Sequence, residues 1–277
     1  MRPSPLPVWS EAPESAFTVV TLNLRFGLAQ DGANRWARRR ELWPQFLRLC
    51  PADFFLLQEV NDFQAEDLST LMVDYACIGR RRPAPAFWQH NLIWYRSDWQ
   101  LDTDAHFFLS PTPGLPSRFR ASRWPRQCTA AVFRRADRRL AIAVTHLDFD
   151  PEVQAASARL IRRRINSLAP ATATVVAGDF NAPPGTPAHR VLTACQGSAD
   201  GEGPAFSDAF QPPYPGTHHG FTGSRDGDYI DWILYRGPIE IHARGVLQRP
   251  LSGRHLSDHY PVWAAFGWDD EKVSNEM

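Results

Sequence analysis

Short apolar runs along this chain repeatedly stop or start at polar residues of one chemical kind. Asn23 closes TVVTLN, Glu59 follows FFLLQ, His146 follows IAVT, Asp179 and Asn181 follow TVVAG, and Asp258 and His259 precede YPVWAAF. Runs of this length, rich in β-branched and aromatic residues, read as strands. Five of these seven polar residues therefore fall at strand carboxyl ends, where open α/β sheets gather their ligands. Taken singly, an Asn or Asp after a strand is a turn residue and a His is a surface or core group. The ordered set is what points to a site.

Eight runs read as strands: 17–22, 53–57, 91–95, 128–133, 140–145, 174–177, 229–235 and 260–266. That number suffices for two sheets. Helices separate several of them. Asp150 is a natural N-cap for a helix over 151–168, with Pro151 at its first position and Val153, Ala156, Leu160, Ile161, Ile165 and Leu168 as an apolar stripe. Its arginines Arg159, Arg162, Arg163 and Arg164 read as a solvated face. A second helix is expected from about Trp36 to Cys50, with Trp43, Phe46, Leu47 and Cys50 inward and Arg38, Arg39 and Arg40 on the surface. From about Gly197 to Asp228 the chain is dense in Gly, Pro, Ser and Asp, which reads as long loops forming a functional rim. The polar tail 269–277 is expected to fray. With no internal repeat and no long linker, residues 1–277 form a single domain with its core at about 16–268.

Composition excludes several classes. An apolar fraction of 43%, with 10 Trp and 17 Phe, gives a core that a disordered chain lacks. Thirty basic residues balance thirty acidic ones, so no global field attracts polyanions and a histone-like binder is excluded. Lys272 is the only lysine, so anions in the folded part must meet arginine, histidine, backbone amides or a metal. The cysteines Cys50, Cys77, Cys128 and Cys195 form no C-x-x-C pair and read as reduced thiols. No run is long and apolar enough to span a membrane, and the start lacks an apolar leader segment, so the expectation is a cytoplasmic protein without membrane insertion.

The carboxylates Glu59, Asp179 and Asp258 with the amides Asn23 and Asn181 are hard oxygen donors of the kind that suit magnesium or manganese. Zinc motifs are lacking, and so is G-x-S-x-G, which leaves water as the nucleophile.

The stretches TLNLRFG (21–27), LLQEV (56–60), VTHLDF (144–149), AGDFNAPP (177–184), YIDWIL (229–234) and LSDHYPV (256–262) resemble, in order, the motif blocks of the endonuclease/exonuclease/phosphatase superfamily. The likeness is to its bacterial, largely uncharacterised branch. It implies an α/β fold, a four-layer sandwich in which two mixed β-sheets pack face to face with helices outside. It also implies Mg2+- or Mn2+-dependent hydrolysis of a phosphate ester. By this resemblance Glu59 is the principal metal carboxylate, with Asn23 beside it and Asp258 as a further metal-side acid. Asp179 orients or deprotonates the attacking water, Asn181 positions water and phosphate, His259 contacts the phosphoryl oxygen, and Asp231 pairs with His259. His146 falls in a block where several branches carry histidine. Tyr229 departs from the pattern, since relatives often have Arg before the I-D pair.

The substrate is open at this level. A small phosphorylated molecule such as a sugar phosphate is favoured over nucleic acid, with Arg126 and His219 as substrate-side residues. The alternative, a nuclease, would use Arg118, Arg120, Arg123 and Arg126 with Phe119 and Trp124 in PSRFRASRWPR as a phosphate and stacking patch. A catalytically dead binding module is disfavoured, because each motif position keeps a competent residue. His218, His219 and Phe221 are candidates for specificity, the competing reading being a loop packed by its own side chains. No obligate protein partner is evident.

Overall fold

The computed structural model describes residues 16–170, 172–194 and 203–269. Cys195, the tail beyond Asp269 and part of the 197–228 loop lie outside them.

Twelve strands form two six-stranded sheets among the described residues. In chain order the strands are β1 (Phe17–Asn23), β2 (Phe54–Val60), β3 (Tyr75–Ile78), β4 (His90–Arg96), β5 (Gln100–Phe108), β6 (Gln127–Arg135), β7 (Arg138–His146), β8 (Ala173–Asp179), β9 (Ser207–Asp208), β10 (Asp231–Arg236), β11 (Ile239–Val246) and β12 (Val262–Trp268). The first sheet runs β11-β12-β1-β2-β4-β3 and the second β5-β6-β7-β8-β10-β9. Both are mixed: β1 lies parallel to β2 and β7 parallel to β8, and the other pairs are antiparallel.

Alternation along the central strands fixes which side chains face which layer. Phe17 and Val19 of β1 and Phe54 and Leu56 of β2 enter the core between the sheets, with Phe133, Ile142, Val144 and Val175. Val20, Leu22, Phe55 and Leu57 point the other way, onto the helices. These are α1 (Trp36–Arg39), α2 (Trp43–Leu49) and α3 (Asp62–Leu71). Helix α4 (Pro151–Leu168) buries Ile161 and Ile165, and α5 (Pro187–Thr193) packs beside it. The Asp150 side chain caps α4, accepting from the amides of Glu152 and Val153, and the helix has the expected bounds.

The expected continuous helix from Trp36 to Cys50 is instead α1, a 3-10 turn at Arg40–Leu42, and α2. Pro44 has no amide hydrogen to continue the ladder and is tolerated only where a helix begins, so the helix restarts there. Two arginines read as surface are buried. Arg39 is 2% exposed and donates to the carbonyls of Leu24, Asn34 and Leu256. Arg162 is 5% exposed and donates to Val191 and Gly203. Both sit where carbonyls from separate segments converge, an environment that helical periodicity does not reveal. Cys50, Cys77 and Cys128 are free thiols.

Gly178, opposite Thr145 in the β7–β8 register, has φ +152, and a Cβ there would stand 1.9 Å from the Thr145 carbonyl oxygen. Only glycine lets β8 approach β7 this closely at its last turn before the site.

Candidate active site

The strands deliver their polar ends to one place. His146 pairs with Asp179 in the β7–β8 register, and Asp231 pairs with Asp179 in the β8–β10 register. Asp179 thus has a candidate site residue on each side. Across the sheets, the Asn23 amide at the end of β1 donates to Asp179 Oδ2 at 2.9 Å and to Glu59 Oε1 at 3.1 Å. Asp179 Oδ2 also faces His146 Nε2 at 3.4 Å and His259 Nε2 at 3.9 Å, while its Oδ1 accepts the Asn181 amide at 2.9 Å.

Three site residues hold left-handed backbone: Arg25 (φ 63), Glu59 (φ 60) and Asn181 (φ 50). Such angles are uncommon outside glycine and cluster at functional sites. Glu59 sits where the β2–β4 register slips between Leu57 and Val60. The slip turns its carboxylate so that Oε2 accepts the Phe26 amide at 2.7 Å. The Asn181 turn lets its side-chain amide donate to the Leu147 carbonyl at 3.0 Å.

Burial sets the charges. His259 Nδ1 donates to Asp231 Oδ2 at 2.8 Å. Burial pulls the imidazolium down, but Asp231, through its charge and hydrogen bond, together with Asp179 and Asp258, outweighs it and raises its pKa to about 10. His259 is therefore a cation at neutral pH. Burial raises Asp179 to about 6, opposed by His259 and by the Asn23 and Asn181 hydrogen bonds and helped by Asp231. His146 is held well below the ordinary histidine range by burial, then by Arg126 and His259, and is neutral.

A family model described as the endonuclease/exonuclease/phosphatase family matches residues 20–259. The chain belongs to that family. No curated protein matches it. Among solved structures, the family member from Bacteroides vulgatus has TM-score 0.80 at 24% identity, with 92% of this chain and 100% of that chain covered. The mannosyl-6-phosphatase of Bacteroides thetaiotaomicron has TM-score 0.81 at 24% identity, covering 91% of this chain and 100% of that one. TDP2 from D. rerio, solved with a single-strand DNA product, has TM-score 0.70 at 17% identity, covering 92% and 100%. At these identities the likeness is one of fold: two mixed sheets flanked by helices.

In this endonuclease/exonuclease/phosphatase chain, Asn23, Glu59, His146, Asp179, Asn181, Asp231 and His259 are linked by the contacts above. Asp258 lies beside them, with Arg25 3.3 Å from its Oδ2. Arg25 is held protonated first by its hydrogen bond to Asp31, and the charges of Asp258 and Glu59 add to the effect. Arg25, missed in the sequence, and Arg39 behind it brace the loop after β1. The sequence signal for Arg25 was its place in TLNLRFG, just after the strand that ends at Asn23. Arg126, with 10% of its side chain exposed, stands in the field of Asp179, Asp148 and Glu59.

His219 is directed elsewhere. It stacks on Tyr260 at 3.9 Å, packs against His255 at 4.6 Å, and its Nδ1 accepts the Gly223 amide at 3.2 Å. Its neighbour His218 is exposed and stands 4.7 Å from the His259 ring, so His218 is the member of the pair at the site. An isolated bridge pairs His218 with His259, and the chain turns away at His219.

The donor set fits a hard divalent cation. Asp179, Asp231 and His259 place ligand atoms within 4.8 Å of one another, but the protonated His259 spends Nδ1–H on Asp231 and has no lone pair to offer. The carboxylates of Asp179 and Asp231, with Glu59 joined to Asp179 through Asn23 and Asp258 beside Arg25, are oxygen donors of the type magnesium and manganese take. Asn23 turns its oxygen to the Arg25 amide at 2.9 Å and its nitrogen to the two acids.

Proposed function

We propose that this chain is a divalent-metal-dependent phosphoesterase that hydrolyses a small organic phosphate, such as a sugar phosphate, by in-line attack of water. The observation that carries the reading is the arrangement around Asp179 Oδ2, where the Asn23 amide, His146 and the charged His259 converge. Phosphate esters repel nucleophiles, so hydrolysis needs an oriented water, a base near neutrality and positive donors for the phosphoryl oxygens.

Asp179, raised to about 6 by burial, is suited to take the proton of the attacking water. Asn181, fixed by its turn and its bond to Leu147, holds that water or a phosphoryl oxygen. His259 presents a cationic Nε2–H to the developing charge, held there by Asp231. Glu59 and Asp258 would hold Mg2+ or Mn2+, which supplies charge neutralisation on the nonbridging oxygens. Neutral His146 and the Arg126 guanidinium stand on the side where the rest of the substrate enters.

The likeness to a mannosyl-6-phosphatase supports the small-substrate reading, as does the zero net charge. The basic loop adds little for a polymer. Arg118 donates to carbonyls of its own loop, at Phe119, Arg120 and Ser122.

The test is phosphate or product release with magnesium, manganese or EDTA across sugar phosphates, nucleotides, inositol phosphates and single-stranded or abasic DNA. Metal-dependent release from a small monoester is expected. Cleavage confined to polymer and collapsing with added salt would overturn the small-substrate reading.

A further inference from the structure

A cavity adjoins the reacting centre on the side where the rest of the substrate would enter. It encloses about 580 Å³, within the size of small-molecule sites, and its walls include Phe26, Phe87, Trp88, Trp124, Arg126 and His146. His146 ties it to the reacting centre, since it lines the cavity while its Nε2 stands 3.4 Å from Asp179.

Four aromatic rings line this space, and two are unusually bare. Phe87 is 61% and Trp124 54% exposed. Arg123 lies over Trp124 at 5.2 Å and Arg81 over Trp88 at 4.6 Å, contacts that hold both indoles in place. Two donors on the wall, Trp88 Nε1–H and Arg126 Nε–H, are buried without a hydrogen-bond partner among the described residues. The acceptor beside Arg126, Asp148 Oδ2, is 3.8 Å away, beyond hydrogen-bond length. Buried unpaired donors are costly, and a ligand acceptor is the usual remedy.

Much of the polar capacity on the wall is already used. Asn91 donates to the Gln127 carbonyl at 2.8 Å and the Gln127 amide donates to the Gln89 carbonyl. Hydroxyls and ring acceptors alike can meet the two free donors, so the exposed rings decide the ligand class. A flat ring with acceptors on its edge matches the wall, because aromatic side chains bind ring faces and the two free donors meet an acceptor edge.

We propose that this cavity is the leaving-group subsite and that it takes a sugar phosphate carrying a planar heteroaromatic ring, a nucleoside monophosphate being the simplest. The ring packs against Trp124 and Phe87, with its acceptor edge toward Arg126 and Trp88. The inference rests on the phosphoesterase reading and narrows its substrate class.

The experiment compares kcat/KM on nucleoside 5′-monophosphates and on ribose 5-phosphate, and separately measures binding of the phosphate-free nucleosides by calorimetry. Stacking of one base predicts a preference for the nucleotide of roughly fivefold to 150-fold. In Trp124→Ala and Phe87→Ala that ratio falls toward one and nucleoside binding weakens. Val73→Ala, 77% exposed and outside the cavity, leaves the ratio unchanged. Both aromatic side chains are largely solvent-facing, so melting temperatures check that the fold is intact. Equal kcat/KM on the two esters with no nucleoside binding overturns the subsite and leaves the phosphoesterase reading standing. Nucleoside binding that Trp124→Ala abolishes, with neither ester hydrolysed, supports the subsite and overturns the reading it rests on.

Discussion

His259 donates its Nδ1–H to Asp231 at 2.8 Å and points Nε2 at Asp179 from 3.9 Å. One buried carboxylate therefore keeps the imidazole charged while a second receives its field. The asymmetry gives the two acids different work: Asp231 accepts the imidazole Nδ1–H, and Asp179, raised by burial, is the acid whose proton affinity lies near neutrality. Separate environments for paired titratable groups are how one site holds both an acid and a base.

Asp231→Asn keeps the shape of the pair and removes the charge that sustains His259. The imidazole pKa then falls from about 10 toward the unperturbed value. Turnover should drop by roughly 10²–10⁴-fold, and the alkaline limb of the kcat profile should move to lower pH. A pH series on both proteins checks this, and an unmoved alkaline limb counts against the role of Asp231.

Asp179→Asn removes the candidate base while leaving a residue that can still meet Asn23. Activity should be abolished and the melting temperature held or raised, because a 1% exposed carboxylate no longer needs to be kept ionised. Unchanged turnover would sink the mechanism.

Arg39→Ala strips donors from the carbonyls of Leu24, Asn34 and Leu256. These belong to the loop carrying Arg25, the turn before α1 and the segment leading to Asp258. A loss of about 3 kcal/mol is expected from the unsatisfied buried carbonyls, readable by urea denaturation, with weakened activity because both flanks of the site loosen. Arg39→Lys should recover only part of it, since an ammonium cannot span the same fork.

His90 is fully buried, with Nδ1 accepting the Arg81 amide at 3.3 Å and Nε2 placed 3.3 Å from Asp62. Burial outweighs Asp62 and lowers its pKa to about 4, so the folded protein holds it neutral. Below about 6.5 the unfolded chain binds a proton that the folded one refuses, and the stability held above that pH is lost as pH falls toward 4. His90→Gln should make this acid limb shallower by up to about 1.4 kcal/mol per pH unit. Melting temperatures of both proteins from pH 7 to pH 4 provide the check.

The eight runs read as strands from the sequence are the eight interior strands of the two sheets, and the four that escaped notice, β3, β5, β9 and β11, are the four sheet edges. Interior strands are buried on both faces and must be apolar along their length, which a single sequence displays. Edge strands keep a face or a flank in water, as the alternation in QLDTDAHFF shows, and their pairing is supplied by a neighbour distant in sequence. Helix α3 was invisible for a similar reason, burying only Gln64, Ala65 and Leu68.

The same division holds at the site. Asn23, Glu59, His146, Asp179, Asn181, Asp258 and His259 were legible because each adjoins an apolar strand, and strand ends are fixed by local composition, whereas Asp231 was reached only through the family resemblance. Whether a neighbouring residue joins them was decided by tertiary structure. His218 rather than His219 faces His259, Arg25 turns onto Asp258, Arg39 is buried among loop carbonyls, and Trp124 and Phe87 line one cavity although 37 residues apart in sequence. Local sequence determines where a strand must stop, because burial of its side chains is a property of the run itself. The direction and partners of a side chain in a loop depend on groups that only the packed sheets bring within hydrogen-bond or Coulomb range.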